Sequence, residues 1–284
     1  MADKLMDPEY AESMAVSGLQ EDTTFSFIVR LARFPLKRKA TLWVSAYIDG
    51  IDYAVTDEAL SLSHDQATPI AKQEVEFEAS GGSRAAFRSF DRHSAKMHGV
   101  VFAGSKAHKG EHPEPGSGSL PIVIETAFKV SHTPANVRPG RMEMMGRVAG
   151  TIMLGGDSWQ FDMPGKWHEQ VGPRPNFAPA FTYLFVQGEG IGIMTSKHAR
   201  SAFGYLLANG ETIAINDMQI EPYGNNPRAF TVTLEYGHQI NGNARIIRET
   251  SVPIEGKRRP GATVIVDSDI GRMVGVLNDW NPDA

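Results

Sequence analysis

The sequence predicts an all-β protein built from two antiparallel β-barrels packed together, and three observations lead there. Apolar residues recur with a period of two, as in strands with one buried face, while a 3.6-residue period is nearly absent. Turn signals break these runs at intervals near the roughly eight to twelve residues typical of sandwiches and barrels. The runs fall into two series along 284 residues. Long antiparallel strands must hide their edges, and closure into a barrel does so most completely. Two barrels of roughly 130–150 residues each fit the number of strands; a single large sandwich is the structural alternative.

The elements follow in order. "DPEYAESMAVSGL" has Asp7 placed to cap a helix and Pro8 at its first position, so residues 1–20 read as a tail or short helix. Thr23–Phe34 and Ala40–Gly50 read as strands, and "IDYAVTD" as the return strand of a hairpin turned by Asp49-Gly50. "EVEFEAS", "RAAFRSFD", "AKMHGVVFAG" and "IVIETAFKVSH" continue the series, with Ala107–Pro121 as a Gly/Pro/Ser-rich loop. "VSHTPANVRPG" (Val130–Gly140) has two prolines and no period, so it joins a first domain at 21–138 to a second at 139–284. The second series runs from "RMEMMGRVAGTIMLGG" through "AFTYLFVQG", "IGIMTSK", "AFGYLLANG" and "AFTVTLEYG" to "RMVGVLNDW".

Composition excludes several functions. The chain is 41% hydrophobic and 21% charged with a net charge of -5, which suits a folded domain and gives no electrostatic case for nucleic acid or an anionic membrane. With no cysteine there is no disulfide, thiol nucleophile or Cys-based metal site. The acidic N-terminus lacks the basic start and apolar core of a signal peptide, and no apolar run reaches the roughly 18 residues of a spanning helix. The expected setting is cytoplasmic.

The densest chemistry lies in "MPGKWHEQVGPRPNFAPAFTYLFVQ", Met163–Gln187. It opens on a Pro-Gly turn followed by Lys166, Trp167, His168, Glu169 and Gln170. In an extended segment Trp167 and Glu169 face one way, His168 and Gln170 the other, so one pair faces a cavity. His168 is a candidate general acid or base near neutral pH, and Glu169 a candidate proton donor if an apolar pocket holds it protonated. The plain reading is that Lys166 and Glu169 are solvated and His168 bonds a loop carbonyl. Arg174, held extended between prolines, can clamp a carboxylate or carbonyl, or tie the segment down by an ion pair. Beyond it Phe181, Tyr183 and Phe185 share a face that either lines an apolar cavity, with Tyr183 as its polar handle, or packs as core. In "FDRHS", Asp91 and His93 stand two apart, the spacing of a carboxylate orienting an imidazole, or of a polar hairpin tip. No third ligand stands at metal-binding spacing, and "GEGIG", "GSGS" and "GKRRP" read as turns.

Two stretches carry a resemblance. "VRLARFPLKRKATLWVSAYIDGIDYAV" and "MEMMGRVAGTIMLGGDSWQFDMPGKWHEQVGPRPNFAPAFTYLFVQGEGIGIM" resemble the starts of the two halves of tandem-lipocalin proteins of the AttH-like and carotenoid 1,2-hydratase (hydroxyneurosporene synthase) superfamily. The superfamily's "G-x-[RK]-x-H-x-W-G-x-R" segment corresponds here to Gly165, Trp167, His168, Gly172 and Arg174, with Glu169 and Gln170 standing where "SW" follows the His. The resemblance implies lipocalin-like barrels and a cofactor-independent acid/base enzyme on a hydrophobic small molecule such as a terpenoid or aromatic compound: a hydratase or dehydratase, an isomerase or a cyclase. On that reading His168 or Glu169 transfers the proton, Asp91 and His93 form a second candidate pair, and Trp167, Arg174, Phe181, Tyr183 and Phe185 hold the substrate. No metal or other cofactor is expected, and a homodimer is compatible with the sequence. A carrier for a hydrophobic ligand and a structural protein with filled barrels are the alternatives.

Overall fold

The computed structural model describes residues 10–61, 74–78, 82–92, 94–110, 118–132, 135–173, 180–254 and 257–280. Among them regular structure is strand apart from one 3-10 turn at Pro35–Lys37. The chain divides into two units, Met1–Pro175 and Asn176–Ala284.

The first unit is an eleven-stranded antiparallel sheet. Its strands are β1 (Tyr10–Leu19), β2 (Phe25–Phe34), β3 (Lys39–Ile48), β4 (Ile51–Ser61), β5 (Glu74–Glu78), β6 (Arg84–Phe90), β7 (His98–Lys109), β8 (Ser119–Val130), β9 (Ala135–Arg138), β10 (Arg141–Leu154) and β11 (Asp157–Pro173). They lie in the order β4-β3-β2-β1-β11-β10-β8-β7-β6-β5, with β9 beside β10. The path closes on itself where β4 meets β7 at Ala54 and His108, and Gly110 N–H donates to the Asp52 carbonyl at 2.7 Å. Alternation dictates the core: in β3 "KATLWVSAYI" every second residue from Ala40 to Ile48 is buried. The hairpin at Asp49-Gly50 forms as expected, with φ of 51° and 84°, the left-handed pair a two-residue turn requires. Val16, Val29, Leu42, Val44, Phe87, Phe128, Met144 and Trp167 meet in the centre.

Three expectations change. The helix at the N-terminus is instead strand β1, paired with β11 from Tyr10 to Gly18 and with β2 from Glu12 to Leu19. Ladder bonds on both sides outweigh the helix propensity of its Ala, Glu and Met residues. Burial on both faces also hides its alternation. The boundary expected at 138/139 falls at 175/176, because β10 pairs with β8 and β11 with β1. The Pro-Gly "turn" at 164–165 lies inside β11, where pairing with β1 ends at Gly18–Gly165 and a proline is tolerated.

The second unit is a closed up-and-down barrel of β12 (Phe181–Gly188), β13 (Ile191–His198), β14 (Ser201–Ala208), β15 (Glu211–Ile220), β16 (Arg228–Leu234), β17 (Gln239–Ile254), β18 (Lys257–Ser268) and β19 (Gly271–Trp280), each bonded to the next and β19 back to β12. Leu184, Val186, Ile193, Leu206, Phe230, Val232 and Val264 fill it. Arg228 is buried, donating to Asp279 at 2.6 Å, and Thr182 donates to the other oxygen of that carboxylate at 2.7 Å.

Candidate functional site

Strand β11 crosses the first sheet between β1 and β10, and its alternation sorts the sequence cluster onto two faces. Trp167 and Glu169 point into the core with Met14, Val16, Met142 and Met144. Trp167 is fully buried, its ring edge-on to Phe87 at 6.0 Å and tilted against Phe128 at 5.8 Å. Its ring packs against Gly99, where a Cβ would sit 2.3 Å from a ring carbon. Its indole N–H donates to Glu169 Oε1 at 2.9 Å, and Arg92, from the turn after β6, donates to Oε2. Both carboxylate oxygens thus accept from protein donors, and Glu169 is buried and not solvated. A second buried pair, Glu12 with Arg33 at 2.5 Å, lies on the same face, and Tyr10 donates to Glu12 at 2.9 Å.

His168 points the other way. Directly across from it in β10 is Glu143, and Nδ1 lies 2.9 Å from Glu143 Oε1. Nε2 lies 3.4 Å from Ser13 Oγ in β1. Arg141 also donates to Glu143 Oε1, from Nε at 2.9 Å and Nη2 at 2.6 Å. Glu143 is buried, and His168, Arg141 and Lys166 hold its carboxyl well below the usual carboxylate range against the opposing effect of burial. Burial lowers the His168 imidazole to about 4, with Glu143 pulling the other way and Arg141 and Lys166 adding to the depression. At neutral pH the ring is therefore uncharged beside an ionised carboxylate. The arrangement puts the ring proton on Nδ1, donated to Glu143, and leaves the Nε2 lone pair to accept. The side chain is 12% exposed. The Ser13–His168–Glu143 chain has the order of a nucleophile, base and orienting acid, but Ser13 is sealed within a strand paired on both sides, so a substrate cannot reach its Oγ.

The other sequence candidates lie elsewhere. Asp91 is exposed in the turn after β6, at φ 52°, the hairpin-tip alternative. His93 and Arg174 fall outside the described residues. Phe181, Tyr183 and Phe185 belong to the second unit, on the side of β12 opposite the core residues Leu184 and Val186. Phe181 stacks between His198 and Trp280, at 5.1 and 4.9 Å between ring centres. Glu143 escaped the sequence reading. Its signal was an acid in the middle of the apolar run "MEMM", on a strand that only pairing brings beside His168. Among the described residues no three His, Cys, Asp or Glu side chains converge as a metal site, and no helix is long and apolar enough to cross a membrane.

Residues 4–265 match the model of a family described as a domain of unknown function, DUF7064. The chain belongs to that family. No curated protein sequence matches this DUF7064 member. Solved structures do. The AttH-type protein of Nitrosomonas europaea superposes with a TM-score of 0.61 at 11% identity, over 95% of this chain and 92% of that one. CghA, solved with Sch210972, gives 0.60 at 12% identity over 96% and 88%. Kievitone hydratase from Nectria haematococca gives 0.57 at 9% identity over 96% and 90%. The DUF7064 chain therefore has the fold of the AttH-like two-barrel proteins, as the resemblance implied.

Proposed function

We propose that this protein is an acid/base enzyme acting, without a cofactor, on a hydrophobic small molecule, with His168 as the proton-transfer group. The observation that carries the reading is the buried His168–Glu143 pair. An uncharged imidazole, oriented through Nδ1 by a carboxylate, offers Nε2 as a base at neutral pH without having to lose a proton first. Glu143 stabilises the imidazolium that forms on proton transfer, and Arg141 fixes the carboxylate. The returned proton completes a hydration, dehydration, isomerisation or cyclisation. Glu169, with both oxygens held by Trp167 and Arg92, serves the scaffold instead. The fold shared with a hydratase supports a hydrophobic substrate in general and does not select among these reactions.

The test begins with native mass spectrometry of the purified protein, to identify what co-purifies. The recovered compound is then incubated with enzyme in D₂O and in H₂¹⁸O. Deuterium or ¹⁸O incorporation, or an isomeric product, that disappears in His168→Asn and falls at least tenfold in Glu143→Gln supports the reading. A compound that binds and returns unlabelled and unchanged makes the protein a carrier. Turnover that survives His168→Asn removes the mechanism.

A further inference from the structure

The outer face of the first unit carries an exposed apolar strip that its core does not use. Along β6, β7, β8 and β10 alternate residues point inward, among them Phe87, Val101, Ile124 and Val148, all buried. Their neighbours point out. Register sets Arg88, Val100, Ala127 and Ala149 in one outward row, and Ala86, Phe102, Glu125 and Thr151 in the next. Phe90, Val100 and Met153 on this face are 40%, 39% and 41% exposed. Large apolar side chains gathered on one exposed sheet face mark an interaction surface more often than those scattered singly. The small side chains of Ala127 and Ala149, with Gly150, sink a concavity of about 580 Å³ beside the ridge of Val100 and Phe102. Glu125 stands exposed at its wall. The Arg84 guanidinium lies 5.4 Å from the centre of the Phe102 ring. Glu78 of β5 is opposite Arg84 in register, so charge on this face directs the fit of a partner, and apolar contact supplies the affinity.

We propose that this face docks a second copy of the same chain, related by a two-fold axis that lies in the interface, parallel to the strands and between β7 and β8. Such an axis sets β7 of each copy over β8 of the other. Val100 then enters the hollow above the partner's Ala127, and Glu125 reaches the partner's Phe102, where the partner's Arg84 already lies. Phe90 covers the partner's Arg147, whose charge is balanced by the partner's Asp162 in the ion pair each chain makes. Ridge meets hollow and acid meets base twice over, as a self-complementary interface requires. A strand spacing of about 4.8 Å and a two-residue repeat of about 6.8 Å give a face of about 500 Å² over four strands and four rows. Two copies together reach the roughly 1,000 Å² at which specific interfaces begin, short of the roughly 1,600 Å² standard size, so the dimer is weak. The inference stands apart from the reading of His168, which lies on β11 outside this face.

Sedimentation velocity is the test, and the wild-type protein is expected to pass from monomer to dimer between about 1 and about 100 μM. Val100→Glu puts a charge into the apolar hollow and should weaken the dimer roughly tenfold or more. Glu125→Arg and Arg84→Glu should each weaken it roughly fivefold. The double variant Glu125→Arg/Arg84→Glu should recover most of that loss, because the exchanged charges still meet. Arg245→Glu, exposed on β17 of the second unit, should change nothing. Circular dichroism melts exclude any variant that has lost its fold, and a second measurement decides if Val100→Glu is among them. The chain has no cysteine, so Ala127→Cys adds a single thiol, and a short bis-maleimide should join two copies through it. The same reagent should not join copies through Thr212→Cys, on the exposed start of β15. A protein that stays monomeric up to about 100 μM overturns the inference. So does a dimer that Val100→Glu and both single charge reversals leave intact, or one that cross-links no better through Ala127→Cys than through Thr212→Cys.

Discussion

His168 should make the folded protein acid-sensitive in a defined window. Its imidazole titrates at about 4 when folded and at 6.5 when free. Between those values the unfolded chain binds a proton that the folded chain refuses, so stability rises with pH across the window and is lost as pH falls through 6.5 towards 4. At pH 5 the unfolded imidazole is mostly protonated and the folded one mostly neutral. That difference amounts to about 2 kcal/mol of destabilisation relative to pH 7.5, from about 1.4 kcal/mol per pKa unit. The side chain is 12% exposed, so little of this is screened away by solvent. Glu143, depressed instead, keeps its stabilising charge until the pH falls below the ordinary carboxylate range, and the window stops above that. The assay is urea unfolding by circular dichroism at pH 7.5 and 5.0, for wild type and His168→Asn. The mutant loses the Glu143 hydrogen bond at both pH values, so only the difference of differences counts. Wild type should lose about 2 kcal/mol more than the mutant on acidification. Equal losses would refute the claim that His168 is held neutral.

Three further outcomes follow from the core. Arg92→Met leaves the buried Glu169 carboxylate with a single donor and should cost about 3–5 kcal/mol in unfolding free energy, and Arg92→Met/Glu169→Gln should recover part of it, as a double-mutant cycle will show. Gly99→Ala forces a methyl group into the Trp167 ring and should cost about 1–3 kcal/mol with a shift in tryptophan emission, whereas Gly50→Ala, with open space around it, should show only the smaller cost of its left-handed backbone. Arg228→Met strips Asp279 of its buried partner in the second barrel and should lower that unit's thermal midpoint while leaving the His168 titration by NMR unchanged.

Short-range features were legible in the sequence. Asp49-Gly50 announced its hairpin through the backbone angles it permits, and the opposite facing of Trp167/Glu169 and His168/Gln170 followed from the pleat alone. Strand β1 was not legible, because its small and polar residues are buried on both faces and no alternation survives. Nor were the partners of the site. Glu143 and Ser13 stand 25 and 155 residues from His168 and meet it only through register.

The sequence by itself determined that this chain is all-β, where most of its strands run, and which side chains share a face of each. Those properties depend on neighbours one or two residues apart, through the period of the pleat and the angles of turns. Tertiary structure alone decided which face of residues 166–170 is core, that Glu169 is locked between Trp167 and Arg92, and that His168 is paired with Glu143. Each depends on burial and on cross-strand partners, which fix a side chain's charge state and free lone pairs, and strand pairing sets both across distances the sequence does not encode locally.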